Sequence, residues 1–166
     1  ITKKDKDDMT THHTIPDQTL SAQTLSHPVL QDYDVIYPQI VDWGDMDAFN
    51  HVNNVVYYDY AQRARVYLLQ LLGMFNQYNT TVVVASSCRF VRPVVFPDTL
   101  AIGIRITHIG TTSMTYSYHY VSQAQQEVVA TAESVLVFVD RNGQKRPISD
   151  DERRDLMKYY QAPSHA

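Results

Sequence analysis

The stretch DWGDMDAFNHVNNVVYYDYAQRAR, residues 42–65, decides how the rest of the chain is interpreted. Its first half places acids, an imidazole and two amides in a short segment, and its second half is rich in aromatic and aliphatic residues. A loop carries function most readily when a rigid element positions it. The stretch therefore predicts a polar site at the start of a buried helix.

The second half of this stretch has the spacing of an amphipathic helix. Apolar residues recur at intervals of three and four at Tyr57, Tyr60, Ala61, Ala64, Leu68, Leu71 and Leu72. The side chain of Asn53 or Asn54 can accept a free backbone N–H in the first turn, and Gly73 suits a helix end. The pattern predicts a helix from these asparagines to Leu72.

The remaining ordered chain reads mainly as strands. β-branched and aromatic runs at residues 33–43, 81–91, 99–109, 113–121 and 128–139 are separated by turn residues. Within one run, Met114, Tyr116, Tyr118 and Tyr120 alternate onto one face. Successive strands joined by short turns indicate an antiparallel meander. Residues 147–160 are predicted as a C-terminal helix, because Ser149 precedes acids in its first turn.

These elements predict an α+β fold. A single helix cannot bury itself and one face of a sheet needs cover, so we expect a curved antiparallel β-sheet wrapped around one long central α-helix, plus a C-terminal helix. An unpaired sheet edge would invite dimerisation. Residues 1–30 lack sustained periodicity and are expected to be a flexible or surface-draped leader, with a single domain at 31–166.

Composition excludes several classes of protein. A net charge of -4 argues against nucleic acid as a partner. No apolar run approaches the roughly 18 residues that span a membrane, so stable membrane insertion is not expected. The single cysteine, Cys88, cannot form an internal disulfide, and its apolar neighbours favour a structural thiol. We expect a soluble, cytoplasmic protein.

The polar loop offers five candidate site residues: Asp45, Asp47, His51, Asn53 and Asn54. The spacing of its acids and histidine matches no zinc signature, and no phosphate-binding or dinucleotide motif is present, so neither metal nor cofactor is expected. Asp47 can act as nucleophile or general base, while amides at the helix start stabilise an oxyanion. Alternatively, the acids only cap and brace the loop.

Residues 45–57, DMDAFNHVNNVVY, resemble the signature of hotdog-fold acyl-CoA thioesterases of the 4-hydroxybenzoyl-CoA thioesterase-like family. The His51-Val-Asn-Asn54 tetrad and Tyr57 are most similar to the branch that contains long-chain acyl-CoA thioesterases. Residues 89–100 resemble the family's characteristic strand pair and residues 109–113 its following turn. The resemblance spans residues 33–160.

The resemblance implies a hotdog fold, a homodimer or dimer of dimers with a shared active site, and hydrolysis of acyl-CoA to free acid and CoA. Coenzyme A enters only as part of the substrate. Asp47 matches the catalytic aspartate, and the Asn54 backbone N–H matches the amide that polarises the thioester carbonyl. His51 and Asn53 match polar residues that orient water or the aspartate.

Three positions depart from the family pattern. Asn50 stands where many relatives have glycine, Gln62 where many have a glutamate that supports the loop, and Phe49 where the plant acyl-carrier-protein thioesterases have asparagine. Asn50 and Gln62 motivate an alternative, a non-catalytic acyl-thioester-binding module. An enoyl-thioester hydratase ranks third, because the Asp-x-x-x-x-His pattern of hydratases is absent from its usual helical setting.

Substrate-binding residues are predicted in the helix that follows the loop and around the end of the run at residues 81–91. Arg89 and Arg92 suit the phosphates of coenzyme A, or else pair with Asp98 or Glu133. Tyr57, Tyr60 and Phe90 line the acyl pocket or simply pack in the core. The tyrosines at 116, 118 and 120 suit sheet packing or a subunit interface, and His108 and His119 are interpreted as structural.

Overall fold

A computed structural model describes residues 19–74 and 80–162. Its helices are α1 (Ala22–Leu25), α2 (Val56–Leu71) and α3 (Asp150–Leu156), and its strands are β1 (Val35–Val41), β2 (Thr80–Phe90), β3 (Asp98–Ile109), β4 (Ser113–Ser122) and β5 (Glu127–Val139). One long helix, a C-terminal helix and an antiparallel sheet confirm the predicted fold class. Within the described ranges, no helix is long and apolar enough to cross a membrane.

The sheet has the order β1-β3-β4-β5-β2, with every neighbouring pair antiparallel. The meander prediction holds for β3, β4 and β5. It is wrong for β2, which pairs with β5 at the far edge rather than with β3. The connection at 91–97 contains Pro93 and Pro97, which cannot donate to a ladder. It packs instead against the polar loop, where Val94 is fully buried and accepts a 2.9 Å bond from the Val52 N–H.

Helix α2 lies against the concave face of this sheet. Its buried side chains include Tyr57, Tyr60, Ala61, Ala64 and Leu68. The predicted face of β4 is confirmed as buried, and it joins α2 in one core with isoleucines of β3. Burying each large apolar side chain contributes about 1.5–3 kcal/mol. Packing of Tyr57 and Tyr60 therefore holds the start of α2, where Val56 is a poor helix former.

Local signals set the helix ends. The N-cap residue of α2 is Val55, which makes no side-chain cap, so the prediction of Asn53 or Asn54 as the N-cap is wrong. Asn53 Oδ1 accepts the Val55 N–H at 3.0 Å in the turn just before the helix. Gly73 lies just beyond the helix with φ +67°, where a residue without Cβ is favoured. At α3, Ser149 and Glu152 form a reciprocal capping box, so this helix begins at Asp150 rather than at Pro147.

Residues 19–33 lie on the convex face of the sheet. Leu30 and Tyr33 are buried there against Ala101 and Val121. Gly103 makes room for the Tyr33 ring, because a Cβ at this position would lie 2.7 Å from it. The predicted boundary at residue 30 falls inside a short 3-10 helix at Pro28–Asp32, and residues 1–18 of the predicted leader lie outside the described residues.

Candidate active site

The polar loop is closed by its own backbone. The Asp47 N–H donates to the His51 carbonyl at 2.9 Å, and the Asn50 N–H donates to the Asp47 carbonyl at 3.0 Å. Asn50 has φ +61°, in the left-handed region that asparagine and glycine tolerate best. The departure from glycine at this position therefore preserves the turn of the loop.

Asp45 braces the loop against α2. Its Oδ2 accepts the Tyr60 hydroxyl at 2.6 Å and the Asp42 N–H at 2.9 Å. Burial, followed by this contact with Asp45, raises the pKa of Tyr60, so the phenol stays protonated as the donor. Tyr60 is fully buried, and its hydroxyl points to the loop.

Asp47 uses only one of its carboxylate oxygens within the loop. Oδ1 accepts the Phe49 N–H at 2.8 Å, and no group in residues 19–74 or 80–162 donates to Oδ2. The half-buried side chain thus has a free oxygen. Asp45 therefore braces the loop, which was one of the two alternatives for the acids. Oδ2 of Asp47 is available for chemistry, which was the other.

The start of α2 presents an unused amide. The N–H groups of Val52, Asn53 and Val55 donate to the Val94 carbonyl, the Asp45 carbonyl and Asn53 Oδ1. No acceptor for the Asn54 N–H lies in the described part of the chain. A free N–H at a helix start can receive developing negative charge.

This amide belongs to a groove of about 250 Å³. Eight residues line the groove. Five of them were predicted as site residues: His51, Asn54, Tyr57, Phe90 and Arg92. The other three, Val52, Val91 and Pro93, were not. The Tyr57 ring meets Phe90 edge to face, with ring centroids 5.1 Å apart. Asp47, Asn53, Tyr60 and Arg89 do not line the groove. The sequence signal for Pro93 is the stretch bounded by Pro93 and Pro97, whereas Val91 is the last residue of the predicted strand at 81–91.

Of the two candidate phosphate-binding arginines, Arg89 lies in β2 and Arg92 lies in the connection that follows the strand. Arg92 lines the groove, and its guanidinium is 3.8 Å from Glu127, with both side chains about half exposed. Such a pair contributes little stability. Arg89 is opposite Thr131, on the convex side, whereas Phe90 is on the concave side. Asp98, predicted as a possible partner, accepts from Ser122 and two backbone N–H groups instead.

Gln62 and Cys88 take no visible part in the loop. Gln62 is exposed and lines a separate groove beside Tyr37. Cys88 is half-buried, and burial raises the pKa of its thiol to about 11, so it is protonated at neutral pH. The described residues contain no cluster of three or more His, Cys, Asp or Glu side chains suited to a metal ion.

The burial of Arg65 was not predicted from the sequence. This residue is in the buried stripe of α2 and is only 9% exposed. It follows Ala61 by one helical turn, so its position on the apolar face was readable from the spacing.

Comparison with known proteins is consistent with this geometry. A family model described as the thioesterase-like superfamily matches residues 41–156. The uncharacterized protein YsmA of Bacillus subtilis (strain 168) is 28% identical over 120 residues, which cover 70% of this chain and 80% of YsmA.

Two solved structures show the same fold. The PA5185 protein of Pseudomonas aeruginosa PAO1 has a TM-score of 0.73 at 29% identity, covering 81% of this chain and 96% of that one. A thioesterase superfamily protein from Jannaschia sp. CCS1 has a TM-score of 0.73 at 22% identity, covering 90% and 97%. The sheet wrapped around α2 is thus a hotdog fold, and the chain belongs to the thioesterase-like superfamily.

Proposed function

We propose that this protein hydrolyses acyl-CoA thioesters to a free acid and CoA, within the branch marked by His51-Val-Asn-Asn54. The observation that carries this proposal is the unpaired Asn54 N–H in a groove beside a loop whose Asp47 has a free oxygen. Membership of the thioesterase-like superfamily supports thioester hydrolysis as the reaction class.

In the proposed mechanism, the thioester carbonyl oxygen accepts the Asn54 N–H. Asp47 Oδ2 either attacks the carbonyl carbon or removes a proton from an attacking water. The negative charge on the carbonyl oxygen is stabilised by this amide and by the positive end of α2. The C–S bond then breaks and the thiolate leaves. If Asp47 acted as base, the thiolate takes up the proton held by Asp47 and the free acid is released. If Asp47 attacked, the acyl group stays on Asp47 as a mixed anhydride, which a water hydrolyses to the free acid while the water's proton passes to the thiolate. His51, exposed at the rim of the groove, and Asn53 orient the water or the aspartate.

Coenzyme A is expected to approach over the end of β2. Arg92 lines the groove, and among residues 19–74 and 80–162 its one ion pair is a long, solvent-exposed contact with Glu127, so its guanidinium is accessible to a phosphate. Arg89 is on the convex side of β2. It would contact the nucleotide part of coenzyme A only where that part crosses the edge of β2. Tyr57 and Phe90 would contact the acyl group nearest the thioester.

A homodimer through β2 is part of the proposal, and a dimer of dimers is the larger alternative. Beyond β2 no described strand continues the sheet, and Val82, Val83 and Val84 are 42–56% exposed. An exposed apolar edge strand is a template for pairing with a second copy. Such pairing would also enclose the groove, which lies at the end of the same strand.

The proposed function is tested with a panel of acyl-CoA substrates of different chain length and with aromatic acyl groups. A thiol-reactive dye reports released CoA, and mass spectrometry identifies the acyl product. Release of CoA and free acid supports hydrolysis. Hydration of an enoyl thioester with the C–S bond intact would instead indicate a hydratase. Tight acyl-CoA binding by calorimetry without turnover would indicate a non-catalytic acyl-thioester-binding module.

A further inference from the structure

Residues 45–53 form a short hairpin whose two arms are joined by backbone contacts. At its base, the Asn53 N–H donates to the Asp45 carbonyl at 2.9 Å, and the next pair, Met46 and Val52, forms an antiparallel bridge. Paired arms of this kind cannot slide past each other without breaking the bonds between them. The base of the hairpin therefore fixes how its two arms are placed relative to each other.

Each arm carries one of the two groups assigned to the reaction. Asp47, the proposed nucleophile or base, lies two residues beyond Asp45 on the first arm. Asn54, the proposed amide donor, directly follows Asn53 at the end of the second arm. The distance between the carboxylate and the amide thus depends on the bond at the base. A misplacement of reacting groups by about 1 Å can lower a rate by about a hundredfold.

Tyr60 holds the base of the hairpin from α2. Its hydroxyl donates to Asp45 Oδ2 at 2.6 Å, and the same oxygen accepts the Asp42 N–H at 2.9 Å. Tyr60 is fully buried within a helix whose own hydrogen bonds keep its backbone rigid. Asp45 therefore connects the two parts: its side chain is bound by the helix, and its carbonyl is bound by the second arm of the hairpin.

The Tyr60–Asp45 contact lies outside the groove. Tyr60 was predicted to line the acyl pocket, but neither it nor Asp45 is among the residues that line the groove. Loss of the contact should therefore leave the substrate-binding surface unchanged. Its effect should fall on the geometry of the reacting groups.

We propose that Tyr60 is a positioning residue for thioester hydrolysis, because it sets, through Asp45, the placement of the Asp47 carboxylate relative to the Asn54 amide. This assignment rests on the proposed thioesterase function and adds to it a residue that touches no part of the substrate. The Tyr60 hydroxyl transfers no proton in this role. It holds one carboxylate oxygen of Asp45 in place.

The test is a double-mutant cycle on the acyl-CoA that the wild type hydrolyses best, at a temperature at which circular dichroism shows every variant to be folded. Tyr60→Phe should lower kcat by about five- to tenfold and change KM by less than about twofold, since the lost hydrogen bond lies outside the groove. Asp45→Ala should lower kcat at least as much. In the Asp45→Ala background, Tyr60→Phe should have no further effect, because the two residues act as one unit.

Two further variants separate positioning from a general loss of structure. Asp45→Asn keeps an oxygen that can accept the Tyr60 hydroxyl, so it should retain more of kcat than Asp45→Ala. Tyr67→Phe is the matched control, because Tyr67 is 37% exposed farther along the same helix and should keep the wild-type kcat. If Asp45→Ala does not fold, the kcat and KM of Tyr60→Phe decide.

Wild-type kcat in Tyr60→Phe overturns the assignment, and so does a rise in KM at wild-type kcat, which would make Tyr60 a binding residue. Effects that multiply in the double variant also overturn it, since Tyr60 would then act independently of Asp45. If the wild type hydrolyses no acyl-CoA, the proposed function fails and this assignment fails with it. An active wild type with an equally active Tyr60→Phe overturns the assignment alone.

Discussion

Asp45 and Asp47 are two residues apart in the sequence but have different surroundings. Asp45 is held by the Tyr60 hydroxyl and by a backbone N–H, whereas Oδ2 of Asp47 accepts no hydrogen bond from the part of the chain that the structure describes. The sequence marked both acids as candidates, because spacing alone does not show which oxygen atoms the backbone uses. Hydrogen-bond geometry separates the bracing acid from the one available for chemistry.

The bracing contact has a measurable effect on stability. Tyr60→Phe removes the donor to Asp45 and leaves a carboxylate oxygen with one partner fewer. We expect the free energy of unfolding in urea to fall by about 1–2 kcal/mol. Tyr58→Phe is the control, because Tyr58 is 40% exposed on the same helix and should change stability little. Equal effects of the two substitutions would show that the Asp45 contact does not hold the loop.

The left-handed backbone of Asn50 also predicts an effect on stability. Because φ is +61°, Asn50→Ala is expected to cost about 1 kcal/mol of stability, while Asn50→Gly should be close to neutral. Urea denaturation of the three proteins measures both values. An alanine variant as stable as wild type would mean that the loop does not require a left-handed residue.

At the scale of elements, α3 is fixed by a short electrostatic network. Arg146 forms two hydrogen bonds to Glu152, at 2.8 and 2.6 Å, and Ser149 caps the same helix. The Arg146 contact, assisted by Ser149, lowers the pKa of Glu152 from its ordinary 4.5 to about 2. The capping box was predictable from the sequence, since its members are three residues apart. The partnership with Arg146 was not, because it depends on how the preceding loop folds back.

The lowered pKa predicts a pH dependence of stability. Because the folded state binds the Glu152 proton more weakly, the stabilisation is fully present above about pH 4.5 and is lost as the pH falls towards about 2. The loss is expected to reach at most about 3 kcal/mol. Glu152→Gln should remove this part of the acid dependence in urea denaturation series, whereas Asp151→Asn, at an exposed pair, should not. Identical pH profiles for wild type and Glu152→Gln would contradict the account.

At the scale of the molecule, sequence patterns predicted the helix, the strands and the curved sheet but not the position of β2. Short turns encode the β3–β4–β5 meander locally. The pairing of β2 with β5 joins residues about fifty positions apart, and no local turn pattern encodes it. In the groove, Phe90 and Arg92 were predicted together with the loop residues, whereas Val91 and Pro93 were not, because their position depends on how the connection at 91–97 packs against the loop.

If two copies pair through the exposed edge of β2, charged substitutions in this edge should dissociate the dimer. Val82→Glu combined with Val84→Glu places like charges where two copies would meet, so a dimer should dissociate to monomers in sedimentation velocity. Leu25→Glu, an exposed apolar position on α1, is the control and should leave the mass unchanged. A wild-type monomer, or a charged double variant that remains dimeric, would contradict assembly through this edge.

Asp47 is proposed to act on a thioester whose carbonyl is bound by the Asn54 amide. The steady-state hydrolysis of an acyl-CoA by wild type and Asp47→Asn, with the dissociation constant measured alongside, tests this role. Asn keeps the shape but loses the base, so kcat should fall by about a hundredfold or more while binding changes little. Asp59→Asn, at an exposed helix position, should keep wild-type turnover. Asp47→Asn turnover equal to that of an active wild type would contradict the claim.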